Sequence, residues 1–263
     1  MSGSGQGSQV TAYRSTAPDL SGRVAVVTGS TRGIGLAIAH KLGAAGADVL
    51  LNFAHDEAAA DRALASLADL PGRAAVFRTD VAEGVTALCE EVRRRYGGLD
   101  IFVHNASSLR PAPALGTDPG TLDRSLAVAV RPLLVGAPQL AELMAGRRGR
   151  IIAVSSSGAR RVVPGYAAAG IAKAAMESLV RYLAAELAGQ GIAVNAVAAA
   201  KVDKSDGAIA PAVAKAIAAR TPGGRLTTPQ DVADVVSLLC TDEAAWLQGQ
   251  VVTADGGLGL MAG

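Results

Sequence analysis

A phenol and a primary amine lie seven residues apart, at Tyr166 and Lys173, in an alanine-rich segment that favours a helix. Residues at this spacing share one face of a helix, so both side chains are expected at the same site. A phenol can donate a proton or stabilise a developing oxyanion. A neighbouring ammonium group favours the ionised form of that phenol. The pair therefore indicates acid or oxyanion chemistry.

A glycine-rich turn near the start of the chain is the second feature that suggests chemistry. It follows a short run of branched residues that ends at Thr28, and helix-forming residues come directly after it. Glycines let the backbone approach a pyrophosphate closely, and a helix N-terminus offers unpaired N–H groups to it. This order predicts a dinucleotide site formed by Gly29, Ser30, Arg32, Gly33, Ile34 and Gly35.

The choice of cofactor depends on the end of the second strand, about 20 residues further on. An acidic residue there would bind the ribose hydroxyls of NAD. The chain has Asn52 and Phe53 instead, and Asn52 joins the predicted cofactor set. Arg32 lies within the glycine turn, where its guanidinium can form paired, charge-assisted bonds to a 2′-phosphate. Both features predict NADPH as the cofactor.

Branched residues recur in short runs that alternate with longer helical segments. Their continuous apolar character predicts strands buried on both faces of a parallel sheet. The expected fold class is therefore α/β: a single-domain, doubly wound Rossmann sheet of seven parallel strands with helices on both faces. The predicted strands are Val24–Thr28, Asp48–Phe53, Ala74–Thr79, Asp100–His104, Arg150–Ser155, Ile192–Val197 and Gln250–Thr253.

The chain divides into a tail and one domain. The Gly, Ser and Gln content of residues 1–20 predicts a flexible N-terminal tail. Residues 21–263 show no linker or break in composition and are expected to form one dinucleotide-binding domain. The least regular stretch, residues 198–225, comes after the sixth strand and is predicted to form a substrate lid. Within it, alanine-rich helix signals cover Ile209–Ala219.

Composition and charge argue against several other classes of protein. The net charge is +2 with both signs interspersed, so a nucleic-acid partner is not expected. The apolar stretch Leu122–Met144 is interrupted by two arginines and two prolines, and no membrane association is predicted. Cys89 and Cys240 are isolated, without metal-ligand spacing, which favours buried thiols, no metal and a reducing compartment. With no apolar leader segment, we expect a cytoplasmic protein.

Taken together, the motifs of residues Leu20–Leu258 resemble those of the short-chain dehydrogenase/reductase family. Besides the glycine turn, they are Asp80-Val81, Asn105-Ala106, the serine run Ser155–Ser157, the Tyr166…Lys173 helix and the closing Asp255-Gly256-Gly257. The resemblance implies that Asp80 and Val81 bind the adenine and that Asn105, Ala106 and Val202 line the cofactor. It also implies that Lys173 holds the ribose hydroxyls and that Ser156 contacts the substrate oxygen.

The spacing of the tyrosine differs from the family's usual Tyr-x3-Lys, because Ala169 lies four residues before Lys173. A Tyr-x6-Lys spacing is similar to the third, NADPH-using type of bacterial enoyl-acyl-carrier-protein reductase. Three residues displace the phenol by about 4.5 Å along a helix. In enoyl reduction the hydride lands on the β-carbon while charge develops on the more distant thioester oxygen. The displaced Tyr166 therefore favours reduction of a conjugated C=C bond.

Two alternatives stay open. The first is a ketoreductase of polyketide or other secondary metabolism on the same fold. The second is a cofactor-binding protein without catalysis, because the helix after strand four has no amide in Leu126–Val130, where relatives often carry an asparagine. The substrate is expected to be a small molecule or an acyl-carrier-bound group. Alanine-rich faces on the helices after strands four and five predict a homotetramer or homodimer.

Overall fold

The runs of branched residues form seven strands in a computed structural model that describes residues 18–203 and 209–261. The strands are β1 (Val24–Val27), β2 (Asp48–Phe53), β3 (Ala74–Arg78), β4 (Ile101–His104), β5 (Arg150–Ser156), β6 (Ala193–Ala199) and β7 (Val251–Ala254). The seven predicted strands overlap these ranges, and their ends differ by at most two residues. The helices are α1 (Gly33–Ala44), α2 (Glu57–Ser66), α3 (Val81–Tyr96), α4 (Pro119–Leu143), α5 (Ala167–Leu187), α6 (Pro211–Arg220) and α7 (Pro229–Leu239).

All seven strands are parallel and lie in the order β3-β2-β1-β4-β5-β6-β7. The order reverses between β1 and β4, which are neighbours in the sheet but not in the chain. In doubly wound sheets, ligands bind outside the carboxyl ends of the strands at such a reversal. The predicted fold class is thus confirmed, and the glycine turn lies at this reversal.

The sheet separates two hydrophobic layers. Alternate residues of β5 face opposite sides: Ile151 and Ala153 pack with α3, α4 and α5, whereas Ile152 and Val154 pack with α1 and α7. Burial on both faces explains why the strands are apolar throughout rather than alternating. Cys89 lies in the first layer and Cys240 in the second, and burial raises the pKa of their thiols to about 11 and about 12.

The helix α4 contains the long apolar stretch of the sequence. Pro132 and Pro138, which interrupt that stretch in composition, both lie inside one continuous helix. Within the described residues, α4 alone is long and apolar enough to cross a membrane by length and composition. Helices buried in a protein core pass the same test, and α4 packs between α3 and α5. Its place in the fold is that of a core helix.

The ends of the domain and of the predicted lid also shift. Leu20, assigned to the tail, is 1% exposed and donates to the Ala45 carbonyl at 2.7 Å; residues 1–17 lie outside the described part of the chain. The lid was predicted to begin at residue 198, but Ala198 and Ala199 belong to β6. Beyond β6 lies α6, which buries none of its residues. Residues 204–208 of the predicted lid are outside the described ranges.

Candidate active site

Three glycines shape the turn between β1 and α1. Gly29 and Gly33 have φ values of +61° and +55°, which favour residues without a Cβ. At Gly35 a Cβ would lie 2.3 Å from the Gly29 carbonyl oxygen, so α1 can pack on the turn only with glycine there. At Gly29 a Cβ would meet the Ala106 backbone at 3.0 Å. The turn at Gly29–Gly35 therefore presents main-chain atoms without covering side chains, and we call this surface the cradle.

The N-terminus of α1 is open toward this cradle. Its N-cap residue, Arg32, makes no side-chain cap, whereas Asp56 and Asp80 cap α2 and α3 with their carboxylates. The first N–H groups of α1 therefore keep their hydrogen-bonding capacity for an anion. The Arg32 side chain is exposed beside them. Bare backbone, free N–H groups and an exposed guanidinium together fit the pyrophosphate and ribose phosphate of a nicotinamide dinucleotide.

The predicted pair Asn105-Ala106 holds the turn from the β4 side. Asn105 donates through Nδ2 to the Thr28 and Gly29 carbonyls at 3.0 and 2.9 Å. The Thr28 hydroxyl accepts from the main-chain N–H groups of Asn105 and Ala106, both at 3.0 Å. These bonds join the ends of β1 and β4 at the reversal of the sheet. The Asn105 side chain therefore supports the shape of the cradle.

His104 completes this network and was missed in the sequence analysis. The Val128 carbonyl only accepts, so the His104 Nε2 atom, 3.0 Å away, must carry the proton. Nδ1 is then free to accept from the Thr28 hydroxyl at 3.1 Å. Burial lowers the pKa of His104 to about 3, so the ring is neutral. The sequence did contain a signal for this role, because His104 is a polar residue at the end of an apolar strand and directly precedes Asn105.

Four of the predicted cofactor residues use their side chains inside the fold. The Asn52 side chain is 1% exposed and donates to the Phe77 and Thr79 carbonyls. The main-chain carbonyl of Asn52 accepts from the main-chain N–H and from the hydroxyl of the buried Ser30. The side chain of Asn52 thus joins β2 to β3 instead of facing a ligand. Val81 is in the hydrophobic layer on one face of the sheet, and Ile34 packs against the layer on the other face.

The adenine end of the predicted site contains an ion pair that the sequence did not reveal. Asp80 caps α3 by accepting from the Ala82 N–H, and its second oxygen lies 2.5 Å from the Arg124 guanidinium. Desolvation of the Asp80 carboxyl is outweighed by its bonds to Arg124 and Ala82, which leave its pKa below the usual range. Asp80 therefore stays ionised at the edge of the cofactor site.

Tyr166 is the N-cap residue of α5 and is half-buried. A main-chain bridge joins it to Ala112: the Ala112 N–H donates to the Gly165 carbonyl at 2.8 Å, and the Ala112 carbonyl accepts from Ala167 at 2.9 Å. Its ring covers Gly158, where a Cβ would lie 2.5 Å from the ring carbon Cδ1. The loops after β4 and β5 thus hold the phenol from two sides.

Lys173 is 4% exposed, and its ammonium donates to the Val154 carbonyl at 2.6 Å. Burial lowers the pKa of Lys173 to about 8, although the charge of Glu177 opposes that shift. Ala169, at the place of the usual family tyrosine, is 3% exposed. Tyr166 is therefore the phenol at the start of α5, and the buried Ala169 leaves no phenol at the usual family position.

The serine run contributes two different contacts at the end of β5. The Ser156 hydroxyl accepts from the Gly158 N–H at 3.2 Å and is half-buried. The Ser155 hydroxyl donates to the Glu177 carboxylate at 2.7 Å. Val202, the last predicted cofactor residue, pairs with Thr227 beyond the end of β6. The predicted residues thus lie along the carboxyl edge of the sheet, from β3 to β6.

Comparison with known proteins shows the family. Residues 29–259 match the family described as "Enoyl-(Acyl carrier protein) reductase". The chain is 38% identical over 247 residues to the 1-cyclohexenylcarbonyl-CoA reductase of Streptomyces collinus, covering 91% of this chain and 88% of that protein. This protein therefore belongs to the short-chain dehydrogenase/reductase family and is a nicotinamide-dependent oxidoreductase.

Two solved structures extend the comparison. The reductase LugOII, which catalyses keto-reduction at C1 during lugdunomycin biosynthesis, superposes with a TM-score of 0.84 at 35% identity, over 92% of this chain and 99% of its own. The angucycline C-6 ketoreductase LanV with bound NADP gives a TM-score of 0.85 at 32% identity, over 93% and 98%. The relatives thus include both a CoA-thioester reductase and ketoreductases.

Proposed function

We propose that the protein is an NADPH-dependent reductase of a conjugated C=C bond in an enoyl thioester or enone. The observation that carries this proposal is the position of Tyr166, at the start of α5, with the buried Ala169 in the place of the usual phenol. A donor displaced in this way suits enoyl reduction. The hydride adds to the β-carbon there, whereas the negative charge develops on the carbonyl oxygen, which lies beyond the α-carbon.

NADPH supplies a hydride from its nicotinamide when it is bound. The backbone cradle of Gly29, Gly33 and Gly35 and the uncapped N-terminus of α1 would hold its pyrophosphate. Arg32 would bind the 2′-phosphate through charge-assisted hydrogen bonds. Because β2 ends in Asn52 and Phe53, no carboxylate is present there to favour the ribose of NADH.

Each proposed catalytic residue has a separate task. Tyr166 donates a hydrogen bond to the substrate oxygen and stabilises the enolate that develops there. Lys173 binds the ribose hydroxyls, and its positive charge stabilises the negative charge that develops on the substrate oxygen. Ser156 offers a second hydroxyl to the substrate oxygen from the end of β5. The α-carbon of the enolate then takes up one proton from water, which completes addition of hydride and proton across the double bond.

The relative from Streptomyces collinus supports the C=C assignment, since its name describes reduction of a cyclohexenylcarbonyl thioester. A thioester or carbonyl conjugated to an alkene is the feature shared by such substrates and enones. We therefore expect the physiological substrate to be a small α,β-unsaturated acyl group, carried on coenzyme A or on an acyl carrier.

The direct test is NADPH oxidation with two matched thioesters, crotonyl-CoA and acetoacetyl-CoA. They present the same four-carbon chain, one with a C=C bond and the other with a ketone. The proposal predicts turnover of crotonyl-CoA at a kcat/KM at least tenfold above that of acetoacetyl-CoA. Mass spectrometry of the product should show butyryl-CoA. The reverse preference would contradict the proposal.

A ketoreductase is the second candidate, and it is favoured by the similarity to LugOII and LanV. It predicts the opposite preference in the same assay, with 3-hydroxybutyryl-CoA as product. A non-catalytic cofactor-binding protein would bind NADPH without oxidising it in the presence of either thioester. The three readings therefore give three different results in one experiment.

A further inference from the structure

The carboxylate of Glu177 lies in the interior of the protein, one helical turn after Lys173 on α5. Its side chain is 5% exposed, and both oxygens are bonded: one accepts from the Ser155 hydroxyl at 2.7 Å, the other from the Arg160 Nε at 2.9 Å. Burying a carboxylate is costly unless it is paired and hydrogen-bonded. This carboxylate is both paired and hydrogen-bonded, one helical turn from the proposed catalytic lysine.

The two partners of Glu177 bracket the loop that follows β5. Ser155 immediately precedes Ser156, and Arg160 ends the short turn Ser157–Ala159. The same turn contains Gly158, on which the Tyr166 ring lies. Bonds from one carboxylate to both ends of the turn therefore fix the surface against which the phenol packs.

Lys173 is the other group that the charge of Glu177 affects. Its ammonium is buried, with one main-chain acceptor, the Val154 carbonyl. The charged and titratable groups that act on this site are Glu177 on the same helix, Arg160 bound to Glu177, and His104 from β4. His104 is neutral at physiological pH, so Glu177 is the negative charge that offsets the burial of the lysine.

We propose that Glu177 is a positioning residue of the active site: its carboxylate ties the Ser156–Arg160 loop to α5 and places a negative charge one helical turn after Lys173. The inference depends on the proposed function for the role of Lys173 in turnover. The effect of Glu177 on the charge of Lys173 does not depend on it. A family tyrosine and lysine are recognisable from sequence spacing, whereas this carboxylate acts through contacts that only the fold brings together.

The experiment separates charge from geometry with three variants. Glu177→Gln removes the charge and keeps the size of the side chain. Glu177→Asp keeps the charge and shortens the reach to Ser155 and Arg160. Glu186→Gln removes a charge from an exposed position of the same helix and is the matched control. Circular dichroism and thermal unfolding establish that each variant is folded.

The readout independent of activity is the pKa of Lys173, measured by NMR with lysine labelled with ¹³C at Cε. The chain has five lysines, and Lys173→Arg identifies the resonance. We expect Glu177→Gln to lower this pKa by about one unit, the lower end of the effect of an adjacent opposite charge. Glu177→Asp should lower it by less than half as much, and Glu186→Gln should not change it.

The activity readout is the pH dependence of kcat/KM for crotonyl-CoA. The alkaline limb should move to lower pH in Glu177→Gln, by the same amount as the pKa. An unchanged or raised pKa of Lys173 in Glu177→Gln would overturn the inference. If Glu177 had only a structural role, its replacement would loosen and hydrate the site, and hydration would raise the pKa of Lys173. If the pKa falls as predicted but no variant, nor the unmodified protein, reduces crotonyl-CoA, then the proposed function fails and the effect of Glu177 on Lys173 stands.

Discussion

The ring of His104 donates a hydrogen bond of 3.0 Å to the Val128 carbonyl, whose regular helical partner is absent because Pro132 has no N–H. In an α-helix the N–H of residue 132 would bond the carbonyl of residue 128. The proline leaves that acceptor open inside the core, and a strand residue from β4 fills it. His104 thereby links α4 to Thr28 and the cofactor cradle.

Replacing His104 by alanine should lower the free energy of unfolding by about 3 kcal/mol, because it leaves a cavity and an unpaired Val128 carbonyl in the core. Urea denaturation at pH 7.5 measures the change. His40→Ala is the control, since His40 bonds Ser66 near the surface and its loss should cost under about 0.5 kcal/mol. Pro132→Ala restores an N–H for Val128, so His104→Ala should cost less in that background. Equal costs in both backgrounds would contradict the role assigned to the proline.

The same histidine predicts the pH dependence of stability. Burial lowers the pKa of His104 from its ordinary 6.5 to about 3, so the unfolded chain binds a proton that the folded protein excludes between these values. The contribution of His104 to stability is therefore complete above pH 6.5 and is lost as the pH falls toward 3, by about 1.4 kcal/mol per pH unit. Urea midpoints measured from pH 7.5 to 4.5 test this. A His104→Ala variant with the same pH slope as the unmodified protein would refute it.

The exposed Arg32 at the start of α1 should set the preference for NADPH. Arg32→Ala should weaken NADPH binding by about 10- to 150-fold, the range of a charge-assisted hydrogen bond, and leave NADH binding nearly unchanged. Fluorescence titration of both cofactors measures this. Arg62→Ala, on the exposed side of α2, is the control and should alter neither affinity. Equal affinity of the unmodified protein for the two cofactors would count against the assignment of NADPH.

Gly158 should be needed for the position of the Tyr166 ring. A Cβ there would lie 2.5 Å from the ring, so Gly158→Ala must displace the phenol or the loop. We expect kcat for the preferred substrate to fall at least tenfold while NADPH affinity stays within twofold, since the cradle is at β1. Gly189→Ala, where a Cβ meets nothing within 4 Å, should have no effect. An unchanged kcat in Gly158→Ala would show that turnover does not depend on the packing of the Tyr166 ring against Gly158.

The outer faces of α4 and α5 should mediate self-association. Leu134, Val135 and Ile171 are each more than half exposed, and a mainly apolar cleft of about 400 Å³ lies between Val130 and Ala175. Covering these side chains removes apolar area from water. Light scattering at micromolar concentration should therefore give the mass of a dimer or tetramer. Leu134→Glu should reduce it, whereas Leu115→Glu, on an exposed loop, should not. A monomer mass for the unmodified protein would exclude this surface as an interface.

Much of the architecture was predictable because its causes are local in the chain. Strands covered on both faces are apolar throughout, and the glycines of the turn at Gly29–Gly35 need conformations and contacts that few other residues allow. The pattern thus located all seven strands and the turn. The two prolines inside α4 differ from these features, because the partner of the carbonyl left open by Pro132 lies in β4 and is not visible in the local sequence.

The site was predictable only where spacing along one helix determines it. Tyr166 and Lys173 belong to α5, so their relation is visible in the sequence. Glu177 also lies on α5, but its importance comes from Ser155 and Arg160, which reach it across the β5 loop. Asn52 was assigned to the cofactor because it ends β2, while its amide bonds β3. Contacts between distant segments carry information that a single sequence does not display.

The central claim is that the Tyr166 hydroxyl stabilises the substrate oxygen during C=C reduction, and Tyr166→Phe tests it most directly. The ring remains, so folding and NADPH affinity should match the unmodified protein. The account predicts that kcat for crotonyl-CoA falls by about 10²–10³, the effect of losing one oxyanion donor. A kcat within twofold of the unmodified protein, with NADPH bound equally well, would contradict it.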